Sequence, residues 1–547
     1  MGNKALFLIL SISLSVGLKV SAQSDTSTTM SIDIKSDYEP KVSAANKIIT
    51  KPDIQEIKGD PPSFTYKLPN FAYGVLPTYK PAKAIGIKSE LDEPLFGNYF
   101  KLGAGNYLTP YGEVRIHSVR NKKYNYGFYG KHLSANAGKP ENADFSDNHL
   151  GVVGSKMGNR GELTGKLNYE RHVVHYYGYD ADSFNFEKRQ INQIFNDFNG
   201  SVLYDRGYDE KRIGTKLGFD FYTFGTHGNR RENDFEGSIQ SKFKLGQRRE
   251  VNVDGKVDFT NIIDNATPAY SRTFVRILPS YSFRYKKIDL NIGANAVVAI
   301  DSSGESPFRL FPNVSAEHFL VPNKVLAFAG INGDVKKNSL RQLSYINPFV
   351  SNDIEVRNTI NTFNIQGGLK GVLVKKIDYL LKVRYSIDND LPLYLTDSTP
   401  TRSFGVVYDD VQTVAFTTGL GFRLDEKFFI QFNTTLYNYK AELQEYAWQL
   451  PAIDADLNMR YTLAKKLDLR VQLYAIGERF QRDMFSTEKN VEPLAPFLDV
   501  NVMADYRYKK NISFFLNVNN ISNSRYQKWY AYPSFGLNLL AGITFSL

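Results

Sequence analysis

The chain has 547 residues, 67 Lys+Arg against 57 Asp+Glu, no Cys, 42% hydrophobic residues, and an aromatic set of 35 Tyr and 38 Phe with 2 Trp. The lack of Cys excludes disulfides, thiolate metal sites, iron–sulfur clusters, a Cys nucleophile and a lipid anchor on cysteine. A mean hydropathy of -0.35 looks soluble, but a β-barrel averages the same way because only every second strand residue meets lipid.

The chain opens with Lys4, an apolar run from Ala5 to Val16 broken only by Ser, and Val20-Ser21-Ala22 before Gln23. This order predicts a secretory signal peptide over 1–22, cut after Ala22. No later stretch approaches the ~20 apolar residues of a membrane helix. The exported chain is therefore expected to be either soluble or an outer-membrane barrel. Loss of Lys4 and Lys19 takes the net charge from +10 to +8, and nothing else points to nucleic acid as a partner.

Residues 23–96 begin with Ser and Thr (Ser24 to Thr29) and hold eight of the chain's 22 Pro. Proline at that density forbids long helices and central strands and favours extended backbone. Phe64, Tyr66, Phe71, Tyr73 and Tyr79 are too many aromatics for a solvated linker. The segment is expected to dock, either in a barrel lumen or on a periplasmic partner.

From 97 to 547 the period is two, which marks strands with one apolar and one polar face. Ile213, Leu217, Phe219 and Phe221 oppose Lys216 and Asp220; Val251, Val253, Val257 and Phe259 oppose Asp254, Lys256 and Asp258. Tyr379, Leu381, Val383 and Tyr385 oppose Lys382 and Arg384. Leu467, Leu469, Val471 and Leu473 oppose Asp468 and Arg470, and Leu498, Val500 and Val502 oppose Asp499 and Asn501. The charged face is too polar for a protein core. It fits the wet interior of a closed antiparallel transmembrane β-barrel better than a soluble β-sandwich or solenoid.

Short turns punctuate the pattern at 121–123, 158–161, 207–211, 246–249, 286–287, 322–324, 375–376, 425–427, 465–466 and 509–511. Ten turns join eleven hairpins, which predicts about 22 strands, within 20–22. An even count brings both ends to the periplasmic side, with short turns there and long loops outside. Expected long loops include 137–147, 178–190, 337–353, 387–403, 439–448 and 482–493. The short turns carry sixteen Lys or Arg, a ring suited to anionic headgroups or an acidic partner, or simply soluble turn chemistry. Candidate lumen-lining residues are Lys216, Asp220, Asp254, Lys256, Lys382, Arg384, Asp468 and Arg470.

Of the seven His, only His172 and His175 lie close, and three residues apart on a strand they face opposite ways and cannot share a metal. With Tyr176 and Tyr177 they suggest an interfacial aromatic belt. No catalytic constellation, phosphate loop, Ca²⁺ loop or zinc motif is visible, so the expectation is no enzyme and no cofactor.

The last strand places Leu537, Leu539, Ala541, Ile543, Phe545 and Leu547 outward. It resembles the C-terminal signal of outer-membrane proteins, with Leu547 where that family usually ends in Phe; Phe545 and Leu547 are the candidate closure residues. The stretch Phe514 through Asn517-Val518-Asn519-Asn520-Ile521, then Tyr526 and Tyr532-Pro533-Ser534, resembles the closing hairpin of TonB-dependent receptors, with Phe535-Gly536 replacing their Gly-Arg pair. Tyr38-Glu39-Pro40, Asn46-Lys47-Ile48 and Gly97-Asn98-Tyr99 add a resemblance to receptor-like barrels of the Bacteroidota type. The resemblance implies a cell outer-membrane location, outer-membrane lipids as surroundings and the barrel-assembly machinery as a partner in biogenesis. The family's plug has no counterpart among 23–96, where no Gly-rich plug pattern occurs. Two functions follow as expectations: a channel for solute passage narrowed by the N-terminal segment, or a non-transporting accessory subunit that recruits surface lipoproteins or periplasmic partners.

Overall fold

The computed structural model describes residues 96–547 except 120, 122, 137, 139, 209–211, 265–269, 301–306, 375, 398 and 483–490. The expectations for the signal peptide, 1–22, and for the Pro-rich segment lie outside the described residues.

Twenty-two strands form one meander. The first third holds β1 (Asn98–Gly105), β2 (Thr109–His117), β3 (Tyr124–Ala135), β4 (Phe145–Gly158), β5 (Gly161–His175), β6 (Asn192–Asp205), β7 (Ile213–Thr226) and β8 (Arg231–Gly246). Then come β9 (Arg249–Ile263), β10 (Tyr270–Tyr285), β11 (Ile288–Ile300), β12 (Phe308–Val321), β13 (Val325–Lys336), β14 (Thr359–Val374), β15 (Ile377–Thr396) and β16 (Phe404–Arg423). The last are β17 (Phe428–Ala441), β18 (Ile453–Leu463), β19 (Leu467–Ile476), β20 (Phe497–Lys509), β21 (Ile512–Asn519) and β22 (Asn538–Ser546). Each pairs antiparallel with the next, and β1 pairs with β22, so the sheet closes. No helix among the described residues is long and apolar enough to cross a membrane.

The alternation in the sequence becomes two faces. Leu217, Phe219, Val257, Phe259, Leu381 and Val383 are exposed on the outside, where an apolar band belongs if lipid surrounds the barrel. The ten short turns all fall between the expected strand pairs. Turn chemistry explains them: Asn121 Oδ1 accepts from the backbone N of Lys123 (2.9 Å) and Tyr124 (3.1 Å), and Asp425 Oδ1 does the same for Lys427 and Phe428. Asn323 and Lys286 take positive φ in their turns.

At the seam Phe545 stands opposite Phe100 on β1 and Ile512 on β21. Leu547 exchanges two backbone hydrogen bonds with Asn98, at 2.8 and 2.9 Å. The strands approach closely here: a Cβ on Gly542 would lie 2.0 Å from the Leu102 carbonyl oxygen. The motif Asn517 to Ile521 ends β21 in a side-chain knot, in which Asn520 Nδ2 donates to the carbonyls of Ser524 (2.6 Å) and Phe535 (2.8 Å).

One loop expectation, 387–403, is corrected. Residues 387–396 are strand, not loop, and Asp388-Asn389-Asp390 marks a β-bulge in β15 rather than a loop tip. The polar residues there pair laterally, Asp388 with Asn361 and Asn389 with Asp410, so the ladder continues through a stretch whose composition suggests a loop. At 20 residues each, β15 and β16 are about twice the length a bilayer needs. Their extension is covered by loop 442–452, whose Trp448 and Leu450 are buried with Leu391, Leu393 and Val411.

Candidate functional site: the cap inside the long-loop end

The eleven loops opposite the short turns do not all splay outward. Loop 337–358 enters the barrel end and carries the helix α2 (Leu340–Ile346), the longer partner of the four-residue α1 (Lys188–Ile191). It buries Leu340, Leu343, Phe349, Val350, Ile354 and Val356 against Phe195, Phe224 and Ile262 of the inner wall and against Trp529 and Tyr532 of loop 520–537. Phe349 stacks on Tyr532 at 3.7 Å between centroids. Burial of six such side chains is worth on the order of 10 kcal/mol gross.

Charges fix the loop's position. The Lys337 ammonium bridges the buried carboxylates of Asp234 and Asp258 on neighbouring strands β8 and β9. Fully buried Glu232 receives the backbone N–H of Leu340 (2.8 Å) and Arg341 (3.3 Å), so a carboxylate sits at the N-terminus of α2 beside the Ser339 cap. Tyr222 donates to the same carboxylate at 2.7 Å, and Arg272 lies 3.9 Å away while donating to the Asn338 carbonyl. Farther round, Arg341 Nε donates to Asp197 at 2.6 Å, and Tyr345 donates to Asp197 at 2.9 Å and Glu170 at 3.2 Å. Burial, then those two carboxylates, push the Tyr345 hydroxyl well above the usual phenol range; it remains a donor. Arg230 donates to the carbonyls of Asn352 and Ile354.

A second set of contacts ties the other loops in. Arg479 donates to the carbonyls of Lys528 and, at 2.6 Å, Gln527. Burial pushes this guanidinium down to about 10. Tyr176 donates to the Val350 carbonyl (2.9 Å) and accepts from Gln193 (2.8 Å), and Tyr177 donates to the Pro533 carbonyl. This corrects the aromatic-belt expectation. β5 ends at His175, the chain turns inward, and the two tyrosines leave the strand alternation to enter the cap. His172 stacks on Phe195 and contacts Asp147, whereas His175 Nδ1 meets the Asp144 carbonyl.

Between the cap and β3–β5 remains a cavity of about 580 Å³, lined by Lys131, His149, Glu170 and His172 of the wall, by Tyr345 of α2, and by Lys528 and Trp529. It presents both signs of charge and several ring faces, enough to hold a small polar solute.

The candidate lumen residues fall into three groups on the wall strands. Lys216 and Asp220 share a strand face with Phe224, and Asp254 and Lys256 share one with Asp258 and Ile262, both of which pack under the cap. Lys256 pairs with Glu236 at 2.6 Å, and Lys216 lies 3.6 Å from Asp205. Lys382 and Arg384 share the face of buried Ser386 on β15. Asp468 is held at 2.9 Å by both Arg460 and Arg470 on β18 and β19. Sequence reasoning missed the clamps themselves. The available signal was a loop carrying six aliphatics from Leu340 to Val356 opposite strand ends with Glu232, Asp234 and Asp258.

No family model matches the chain, and no curated protein matches it. Solved structures do. The chain is similar to the pyoverdine outer membrane receptor FpvA from Pseudomonas aeruginosa PAO1 (TM-score 0.63, 13% identity, 83% of this chain and 79% of that one). It is similar to the FrpB iron transporter from Neisseria meningitidis (TM-score 0.66, 10% identity, 83% and 82%) and to the copper transporter OprC (TM-score 0.62, 10% identity, 83% and 80%). At these identities the likeness is one of fold. What is shared is the closed barrel fold, matched over 83% of this chain.

Proposed function

We propose that the chain is an outer-membrane conduit of receptor type, held shut at its long-loop end by the cap and admitting a solute when the cap is displaced. The observation that carries this reading is loop 337–358, folded into the barrel and clamped there by Lys337, Glu232, Asp197 and Arg230. The neighbours named above are outer-membrane receptors and transporters, which supports the same membrane for this chain, and the short turns then face the periplasm. Lys216, Asp220, Asp254, Lys256, Lys382, Arg384, Asp468 and Arg470 line the path in this reading, with signs mixed enough to favour neither ion charge. The Pro-rich segment narrows the path from the other end. With about 10 kcal/mol of apolar contact and several buried ion pairs, the cap rarely opens by itself, so solute or partner binding supplies the work.

Planar-bilayer recording tests this. The mature chain is expected to conduct weakly. Replacing 338–357 by a Gly-Ser linker raises single-channel conductance several-fold, and deleting 23–94 raises it further. Equal conductance in all three removes the cap and the segment as gates.

A further inference from the structure

We propose that the short-turn rim is a binding ring for anionic phospholipid headgroups. The proposal rests on the membrane-spanning reading above and asks which lipid surrounds that end. With the observed strand ends, the ten short turns hold 17 Lys or Arg against four Asp or Glu, whereas the eleven long loops hold 13 against 17. The two rims thus differ by +13 against -4 in formal charge.

Distribution decides the partner class. Every one of the ten turns contributes at least one Lys or Arg, and those among the described residues are exposed. A protein docking from the periplasm meets an arc of the rim and gains nothing from cations on the far side. A lipid leaflet meets the whole circumference, and only it uses a closed ring.

A second observation sets the depth. Tyr124 and Tyr285 are exposed one step inside the turns and Tyr508 two steps inside, where amphipathic rings mark the headgroup level. An ammonium stands over each: Lys156 at 5.9 Å, Lys286 at 5.4 Å and Lys509 at 5.5 Å from the centroid. Ring and cation together reach from the acyl boundary to the phosphate plane, where an added negative headgroup gains most from the local charge.

The test uses the mature chain in phosphatidylcholine bilayers carrying trace spin-labelled phosphatidylglycerol or phosphatidylcholine, with the motionally restricted lipid fraction read by electron spin resonance. The expected preference for the anionic label is about threefold or more at low salt and close to one at 1 M salt, where the Debye length is only about 3 Å. The variant K286Q/K287Q/K465Q/K466Q is expected to lose about half of the preference, while R189Q/R525Q at the opposite rim keeps it. Equal association of the two labels overturns the proposal, as does an unchanged preference in the rim variant or capture of an acidic protein by a rim that shows no lipid preference. Conductance recorded on the same samples separates the two readings. A silent barrel that keeps its lipid preference defeats only the conduit, and a conducting barrel without preference defeats only the lipid ring.

Discussion

Asp234 and Asp258 face one ammonium, that of Lys337, and Thr260 donates to Asp234 in the same cluster. Two buried carboxylates without that cation repel each other and lack a counter-charge, a situation that costs about 3–5 kcal/mol when one partner of a buried pair is removed. Lys337→Met is therefore expected to loosen the cap without unfolding the barrel, seen as faster amide exchange over 338–347 and unchanged exchange in β8 and β9. Adding Asp258→Asn to that variant returns part of the protection, because one charge is then absent. If K337M exchanges like the parent, the clamp contributes nothing. Glu232→Gln keeps the shape and one acceptor but removes the charge at the α2 N-terminus, and about 1 kcal/mol of cap stability is expected to go with it. Ser339→Ala removes the other cap and costs about 1 kcal/mol as well. The pair tests additivity: Glu232 holds the N–H groups of Leu340 and Arg341 and Ser339 that of Gln342, all in the first turn of α2, so the double variant is expected to lose more than the sum.

At the scale of elements, strands and turns were legible in the sequence and the cap was not. Period two needs only neighbours along the chain, as in Leu217 and Phe219 against Lys216 and Asp220, and a two-residue Lys286-Lys287 turn announces itself locally. The cap depends on pairs such as Arg341 with Asp197 and Tyr176 with Val350, more than a hundred residues apart. No local pattern records such a pair, and a loop with Asn, Ser and charges looks the same whether it folds in or out. Tyr176 and Tyr177 were misplaced for the same reason: alternation stops having meaning where the strand ends. β15 shows the converse error, since Asp388-Asn389-Asp390 has turn composition yet is held in the ladder by Asn361 and Asp410. Because cap and wall are separate elements, replacing 338–357 by the linker is expected to leave the barrel resistant to cold SDS, with heat-modified migration on gels. It exposes Phe195, Phe224 and Ile262 to the lumen and so increases binding of an apolar fluorescent dye. A variant that no longer runs as a folded band shows instead that the wall needs the cap to form.

For the whole molecule the decisive interaction is the seam. The sequence placed it at the final strand, and β22 pairs on both sides, with β21 from Ile512↔Phe545 to Asn519↔Asn538 and with β1 from Tyr99↔Ser546 to Gly105↔Leu540. Removing 538–547 therefore opens two edges at once, on β1 and on β21, while loop 520–537 loses its second strand anchor and is held only by Asn520 and by Tyr526, which donates to Asp499 at 2.6 Å. In water an open edge is tolerable; in a hydrocarbon layer each unsatisfied backbone group costs several kcal/mol. A handful of such groups exceeds the 5–15 kcal/mol that typically separates folded from unfolded chains. Truncation at Leu537 is thus expected to abolish the folded gel band and bilayer insertion outright, a qualitative loss. Leu547→Ala, which keeps both backbone bonds to Asn98, is expected to fold with little change. Phe545→Ala falls between, losing a large outward side chain beside Phe100. A truncated chain that still inserts and migrates as a folded barrel would show that β1 and β21 close without the last strand, and the seam would then lose its role in holding the cylinder together.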